Sequence, residues 1–361
     1  MELRDSARER PHPPDVTVLM TVYNGMPYLR QAIESILEQT WADFEFLVVN
    51  DCSTDDSRDV ILSYDDPRIR LLDNEENINQ TRSLNRGLES VRSELIARMD
   101  ADDISHPKRL EMQVAYLEEH PDVVAVGTGL RFITHTGRVT GRLVRPEHDL
   151  ALRWLQLFDC PLSCGAVMFR RSTVWGTFGG FDPSIRLYQD WELWSRVLPE
   201  YKIANLPEVL LDVRKHSGCE TVVFRDIALG EGKRITSANL RNILGIRDHS
   251  EEWLAKVDAL TAERATHPEH LLQVVQMLFE RFCELYPEAR EDDQILSELS
   301  KQYLRVLSHA GLRHVPLVFR AVRLAWPMSS KMLFMSRLVR CLAVRMGARH
   351  VKRWLSRLGI C

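Results

Sequence analysis

Three apolar segments separated by helical patterns limit what the first third of this chain can fold into. The segments cover residues 16–22, 44–50 and 95–99, and each runs directly into polar side chains. A short apolar run bounded by polar residues is typical of a buried strand. Strands that alternate with helices indicate a parallel, doubly wound sheet. We therefore predict an α/β fold with a mostly parallel sheet and helices on both of its faces.

Carboxylates follow the second and third apolar segments. Asp51 comes directly after the second, and Asp100 and Asp102 follow the third. Ligands of open α/β sheets bind at the carboxyl ends of the strands, so we expect these acids at a binding edge. Mg²⁺ and Mn²⁺ prefer oxygen ligands, and Mg²⁺ is commonly held by one or two carboxylates together with substrate phosphates. The spacing of Asp100 and Asp102 therefore indicates a site for a divalent metal and a phosphate-bearing ligand.

The sequence lacks the motifs of two common classes of nucleotide-binding protein. The turn after the first segment lacks the G-x-G-x-x-G pattern of dinucleotide-binding folds. The chain also lacks G-x-x-x-x-G-K-[ST], so a P-loop is not expected.

Several short blocks together resemble glycosyltransferase family 2. They are Thr21–Asn24, Asn50–Asp55, Leu84–Gly87, Ala97–Asp103, Pro107–Leu110, Gly179–Asp182 and Gln189–Trp194. They follow one another in the family's order and spacing over about residues 15–216. The resemblance implies a GT-A fold, in which a nucleotide-binding α/β sheet is joined to an acceptor-binding half. It also implies transfer of a sugar from a nucleotide sugar, with inversion at the anomeric carbon.

The resemblance assigns four residues to the nucleotide-sugar donor. Asp51 and Tyr23 resemble the residues that hold the base, and Thr21 matches a contact in the same pocket. Asp100 resembles the residue that contacts the ribose. Without the resemblance, Tyr23 could simply cover the sheet edge and Asp51 could cap a helix.

The resemblance assigns two residues to the metal, which we expect to be Mn²⁺ or Mg²⁺. Asp102 resembles the family's metal ligand, and His216 falls where many GT-A enzymes place a late histidine near the metal or the diphosphate. A lone histidine is often structural, and that alternative stays open. Asp103 precedes Pro107 and is interpreted as the N-cap of a helix.

Asp190 is the predicted general base that takes the proton of the acceptor hydroxyl. The family commonly has Glu-Asp here, whereas this chain has Gln189 before Asp190. Asp190 could instead cap a helix, and Glu192 is the alternative base. Trp191 and Trp194 could form a sugar-stacking wall or belong to the core.

The charge of the chain is unevenly distributed. Residues 301–361 contain 13 Lys and Arg and no acidic residue, whereas the other 300 residues have 34 basic and 51 acidic residues. In this tail, Leu338, Leu342 and Met346 recur at helical spacing among arginines. Such a helix can bind an anionic membrane surface, or its apolar stripe can pack on the body. The acidic body argues against nucleic acid as a partner.

The chain is expected to have three regions. Residues 1–14 form a flexible N-terminus without the apolar core of a signal peptide, and no transmembrane segment is expected. Residues 15–220 form the glycosyltransferase domain, divided into a donor half (15–127) and an acceptor half (128–220). Residues 221–361 form a helical region that ends in the basic tail. Seven scattered cysteines indicate reduced thiols in a cytoplasmic protein, peripheral to the inner face of the cell membrane if the tail binds it.

The expected function is non-processive transfer of a sugar from a UDP-linked donor to a glycan or lipid-linked acceptor in cell-surface or exopolysaccharide synthesis. The chain lacks the Gln-x-x-Arg-Trp block of the processive members. Two alternatives remain. An inactive nucleotide-sugar-binding scaffold would not need the retained acids. A sugar-phosphate nucleotidylyltransferase would need a Gly-rich, Arg-bearing turn after the first strand.

Overall fold

The apolar segments form the parallel part of one sheet. In the computed structural model, the strands of this part are β1 (Val16–Val22), β2 (Phe44–Asn50), β3 (Ile69–Asp73) and β4 (Leu95–Asp100). They lie in the order β3-β2-β1-β4, and all their pairings are parallel. Every residue of β1 and β2 is buried, as expected for strands that are covered on both faces.

The structure describes residues 14–216, 224–246 and 268–310. The chain divides into two compact units, Met1–Ile243 and Leu244–Cys361. The first unit contains the whole sheet and extends past residue 220.

Helices cover both faces of the sheet. One apolar core cluster joins the sheet to α1 (Leu29–Leu37), α2 (Ser57–Leu62) and α4 (Arg109–Glu119). The other cluster joins it to α3 (Gln80–Ser90), α5 (Asp149–Gln156) and α6 (Gln189–Val197). Val16, Val18, Met20 and Val22 of β1 enter the first cluster and Leu19 enters the second, because side chains along a strand point to opposite faces.

The remaining strands make the sheet mixed. They are β5 (Ile104–Ser105), β6 (Val123–Thr134), β7 (Val139–Leu143), β8 (Met168–Arg170) and β9 (Lys202–Lys215). β8 is antiparallel to both β4 and β6, whereas β6 and β9 are parallel. β5, which follows β4 closely in the chain, pairs with β9. This pairing brings the carboxyl end of β9 back to the carboxyl end of β4, which is the arrangement of a GT-A fold.

The register of the strand pairs sets the level at which the parallel strands end. Thr21 on β1 pairs with Val49 on one side and Asp100 on the other, and Asn50 pairs with Asp73. The four parallel strands therefore end at one level, and their polar continuations face a common space.

The helices that follow the sheet lie in the region where the apolar periodicity predicted helices. α7 (Arg225–Leu244) belongs to the first unit up to Ile243, and the second unit contains α8 (Pro268–Leu285) and α9 (Asp293–Ala310). The predicted apolar face of α8 is buried: Leu271, Val274, Leu278 and Phe282. Within the described ranges, none of the helices combines the length and the apolarity needed to cross a membrane.

Candidate functional site

A cleft of about 1040 Å³ opens at the carboxyl ends of the strands. The six residues assigned to the donor and the metal all line it: Thr21, Tyr23, Asp51, Asp100, Asp102 and His216. The predicted base, Asp190, is not among the lining residues. The structure thus brings His216, from the predicted acceptor half, to the acids of the predicted donor half.

Asp51 is held in a fixed orientation at one end of the cleft. Its carboxylate is buried, and its Oδ1 accepts hydrogen bonds from Asn74 Nδ2 at 2.6 Å and from the Ile78 amide at 2.9 Å. No described residue donates to Oδ2, which can therefore accept a bond from the ring N–H of a base. Tyr23, which is 52% exposed, lies on the same cleft and can stack on that base.

The first two family-like blocks hold each other through their loops. Asn24 adopts a left-handed conformation with φ of 53°. Its Oδ1 accepts from the Thr54 amide at 2.8 Å, and its own amide donates to Ser53 Oγ at 3.1 Å. The predicted helix after this loop is α2, and Asp55 Oδ1 accepts from the Ser57 amide at 3.0 Å. The loops beside the pocket expected to hold the nucleobase are therefore fixed by hydrogen bonds between their own polar groups.

Asp102 and His216 contact each other in the cleft, although they lie 114 positions apart in the chain. Asp102 Oδ2 and His216 Nε2 are 2.9 Å apart, and both side chains are partly exposed. Burial raises the pKa of Asp102, Asp100 raises it further, and the bond with His216 opposes this rise. His216 also packs its ring 5.2 Å from that of Tyr28.

Arg214 fixes this pair and was missed by the sequence analysis. Its amide donates to Asp103 Oδ1 at 2.9 Å, and its Nε donates to the Asp102 carbonyl at 3.0 Å. Its guanidinium lies 4.6 Å from the centre of the Tyr28 ring. These contacts join the end of β9 to the turn after β4, and they set where His216 and Asp102 lie.

The interpretation of Asp103 as a helix N-cap is wrong. The helix that follows, α4, begins at Arg109, and Lys108 occupies its N-cap position. Asp103 is buried instead and accepts from the Arg214 amide. Burial raises its pKa well above the usual range, and the neighbouring charges of Asp100 and Asp102 raise it further.

Arg98 places a buried positive charge beneath the acids. It lies within the apolar strand β4, is 2% exposed, and forms an ion pair with Asp100. Burial disfavours its charged form, but the charge and hydrogen bond of Asp100, together with the interactions with Cys164 and Asp190, outweigh this and raise the pKa of Arg98. Asp190 interacts electrostatically with the same guanidinium. Arg98 therefore links the donor side of the site to the predicted base.

Asp190 lies in the first turn of α6. Its Oδ1 accepts from the Trp191 amide at 2.8 Å. Burial raises the pKa of Asp190, whereas the Trp191 amide, Arg98 and the Cys160 thiol lower it. A carboxylate with a raised pKa is better suited to accept a proton.

The other candidates around Asp190 have structural contacts. Glu192 Oε1 accepts from Arg196 Nε at 2.8 Å, so the alternative base is engaged in an ion pair. Trp191 and Trp194 are buried and belong to the core. Gln189 is also buried, and its side-chain amide lies 2.9 Å from that of Gln80, which in turn lies 3.4 Å from Asp100. An uncharged chain of amides thus occupies the place where the family commonly has a glutamate.

Two further family-like blocks hold the segment before α6. Asn85 Nδ2 donates to the Phe181 carbonyl at 2.7 Å, and the Phe181 amide donates to Asn85 Oδ1 at 2.9 Å. Gly180 adopts φ of +78°, and a Cβ there would lie 2.6 Å from Asn85 Oδ1. The glycine is therefore required both by the backbone conformation and by the approach of Asn85.

Comparisons with known proteins indicate the family of this chain. The sequence profile of "Glycosyl transferase family 2" matches residues 17–178. The O-antigen biosynthesis glycosyltransferase WbnJ of Escherichia coli is 32% identical over 212 residues, which are 56% of this chain and 80% of WbnJ.

Solved structures share the fold. S. aureus TarS (residues 1–349), in complex with UDP-GlcNAc, aligns with a TM-score of 0.53 and 15% identity over 82% of this chain and 89% of TarS. The mannosyltransferase PcManGT of Pyrobaculum calidifontis, in complex with GDP-Man and Mn²⁺, aligns with a TM-score of 0.51 and 14% identity over 94% and 83% of the two chains. Together with the identity to WbnJ and the profile match, the sheet and its cleft lead to one conclusion: this chain is a glycosyltransferase that belongs to glycosyltransferase family 2.

Proposed function

We propose that this protein is an inverting, divalent-metal-dependent, non-processive glycosyltransferase that uses a UDP-linked sugar. The acceptor is a glycan or a lipid-linked sugar in the synthesis of a cell-surface polysaccharide. One observation carries the proposal: Asp51, Asp100, Asp102 and His216 line a single cleft. The name of WbnJ supports the polysaccharide context.

The cleft contains side chains that suit each part of the donor, from the nucleobase to the diphosphate. Asp51 Oδ2 and Tyr23 would bind the uracil ring, which offers one N–H donor and an aromatic face. Asp100, which ends β4 and lines the same cleft as Asp51 and Asp102, would accept from the ribose hydroxyls. TarS, which shares the fold, was solved with UDP-GlcNAc, and this supports a UDP-linked donor.

The residues present fit a divalent metal that is shared with the substrate. Among the described residues, no three His, Cys, Asp or Glu side chains are grouped so that they could hold a metal by themselves. Asp102 Oδ2 and His216 Nε2 are 2.9 Å apart. This separation suits two neighbouring ligands of an octahedral ion, which are about 3 Å apart when each lies ~2.1 Å from the ion. Asp102 and His216 would therefore hold Mn²⁺ or Mg²⁺ together with the diphosphate oxygens. The bound ion would neutralise charge on the departing diphosphate.

Asp190 would take the proton of the acceptor hydroxyl. As this proton leaves, the acceptor oxygen forms a bond to the anomeric carbon, and the bond from that carbon to the diphosphate oxygen breaks. The nucleoside diphosphate is released, and attack from the face opposite to it inverts the configuration.

A thermal-shift comparison of UDP and GDP tests the donor. We expect UDP with Mn²⁺ or Mg²⁺ to raise the melting temperature, and UDP with a chelator to have little effect. A ligand at 100 times its Kd stabilises by about 2.7 kcal/mol, which corresponds to roughly 5–10 °C for a domain of this size. Stabilisation by GDP and not by UDP would reassign the donor to a GDP-linked sugar. Binding of UDP without cleavage of any UDP-sugar would favour the inactive scaffold.

Gly165 leaves room for the acids, and this gives a test of their placement. A Cβ at Gly165 would lie 2.8 Å from Asp100 Oδ2 and 3.1 Å from Asp103 Oδ2. We expect Gly165→Ala to lower metal-dependent cleavage of a UDP-sugar by about 10- to 100-fold, because a misplacement of about 1 Å can cost about 100-fold. Gly176→Ala is the matched control, since its Cβ would meet no atom within 4 Å. Equal activity of both variants would mean that the position of Asp100 is not critical.

Membrane attachment through the basic tail is a further part of this proposal. Residues 311–361, which hold most of the tail, lie outside the described residues. We expect deletion of 311–361 to reduce co-sedimentation with anionic vesicles at low salt, because each Lys or Arg near such a surface contributes about 1 kcal/mol. Neutral vesicles and high salt are the controls. Equal, salt-insensitive recovery of both proteins would assign the tail to packing and would remove it as a membrane-binding segment.

A further inference from the structure

A glutamate of α7 binds the backbone that leads into the predicted base. Glu231 is 9% exposed, and its carboxylate accepts three backbone hydrogen bonds. Its Oε1 accepts from the Arg186 amide at 2.6 Å, and its Oε2 accepts from the amides of Leu187 at 2.9 Å and Tyr188 at 3.2 Å. One side chain therefore satisfies three consecutive donors.

The three backbone amides that donate to Glu231 lie directly before the helix that carries Asp190. Tyr188 is the N-cap residue of α6, and its side chain makes no capping bond within the described part of the chain. Gln189 and Asp190 follow at once as the first residues of the helix. Arg186 and Leu187 line the cleft. The carboxylate of Glu231 thus fixes both a part of the cleft wall and the start of the helix that carries the predicted base.

Other contacts hold the same segment from two sides. Thr81 Oγ1 on α3 donates to the Ile185 carbonyl at 2.8 Å. Arg234, one turn after Glu231 on α7, forms an ion pair with Asp182 at 3.1 Å and donates to Ser184 Oγ at 3.0 Å. Thr81 and Arg234 thus hold residues 182–185, and Glu231 binds the backbone amides of residues 186–188, next to Asp190.

The chemistry of this contact requires a carboxylate. Two anionic oxygens can accept from three N–H groups, and such charge-assisted bonds are stronger than neutral ones. Glutamine has one acceptor oxygen, and its NH₂ group would face backbone donors. An unpaired buried N–H is unfavourable, so the segment would move to find another partner.

We propose that Glu231 is a positioning residue, which holds residues 186–188 so that Asp190 and the adjacent cleft wall keep their reactive arrangement. The proposal rests on the proposed function, in which Asp190 is the base. Glu231 lies beyond the 17–178 profile match and beyond the domain of residues 15–220 predicted from the sequence. The first helix after the sheet would therefore belong to the catalytic apparatus.

Hydrogen exchange and turnover in Glu231→Gln test the proposal. We expect the amides of residues 186–188 to exchange at least about tenfold faster than in the wild type, because they lose an acceptor. Turnover of the UDP-sugar that the wild type cleaves fastest should fall at least tenfold, while the Kd for UDP with Mn²⁺ changes less than threefold. Asp226→Asn is the control, since Asp226 is an exposed acid on the same helix. It should match the wild type in every measurement.

The outcomes separate positioning from stability. A parallel loss of melting temperature, UDP binding and turnover in Glu231→Gln would reduce the residue to a structural role and overturn the proposal. Unchanged exchange at residues 186–188, or faster exchange with full turnover, would overturn it as well. A wild-type protein that cleaves no UDP-sugar would contradict the proposed function, and the exchange comparison would still decide whether Glu231 holds the segment.

Discussion

Asp190→Asn is expected to lower glycosyl transfer by about 10²–10⁴-fold, which is the usual contribution of general-base catalysis. The amide has nearly the same shape as the carboxylate but cannot take the acceptor's proton. Asp190 is not among the residues that line the donor cleft, so the Kd for UDP with Mn²⁺ should stay close to that of the wild type. Asp226→Asn, which removes an exposed carboxylate of α7, is the control.

The pH dependence of turnover gives an independent check on the same residue. Burial raises the pKa of Asp190, so the base becomes protonated at a pH above the ordinary range of an aspartate. Turnover should therefore be full above this raised pKa and decline as the pH falls through it. The decline should be absent in Asp190→Asn. Transfer within a few-fold of the wild type in that variant would remove Asp190 as the base and make Glu192 the next candidate.

Asp102→Ala is expected to abolish the dependence of turnover on metal and to lower turnover by at least about 100-fold. Loss of a residue that only orients a ligand typically costs 10–100-fold in affinity or activity, so loss of the ligand itself should cost more. His216 would lose its 2.9 Å contact with the Asp102 carboxylate. The measurement is turnover against Mn²⁺ concentration at saturating UDP-sugar.

The control for this substitution is Asp226→Ala, which removes an exposed carboxylate that is not among the cleft-lining residues. It should keep the wild-type response to Mn²⁺. Full activity of Asp102→Ala at limiting metal would remove Asp102 from the metal site.

The donor side of the site could be predicted from the sequence because it depends on local patterns. Each apolar segment forms a strand, and the residue that follows the strand lies at its carboxyl end whatever the rest of the chain does. Asp51, Asp100 and Asp102 therefore reach one cleft, as predicted. The helical spacing of α8 is likewise a local property, and its predicted face is buried.

The remaining features depend on contacts between distant parts of the chain. Arg98 interrupts an apolar strand, and only the fold shows that it pairs with Asp100. Arg214 acts through bonds to Asp102 and Asp103, which follow a different strand. The N-cap interpretation of Asp103 failed for the same reason, because a carboxylate before a helix and a carboxylate that receives a distant amide look alike in sequence. Nothing in the residues around Glu231 indicates that its partners lie more than forty positions earlier.

The configuration of the sugar first released from an α-linked UDP-sugar is the most direct test of inverting, metal-dependent transfer. Proton NMR can follow the anomeric signal during cleavage by water, before the free sugar equilibrates. We expect the β-anomer to appear first, its formation to require Mn²⁺ or Mg²⁺, and a chelator to stop it. Initial release of the α-anomer would contradict inversion, and cleavage at an unchanged rate in the presence of the chelator would contradict metal dependence.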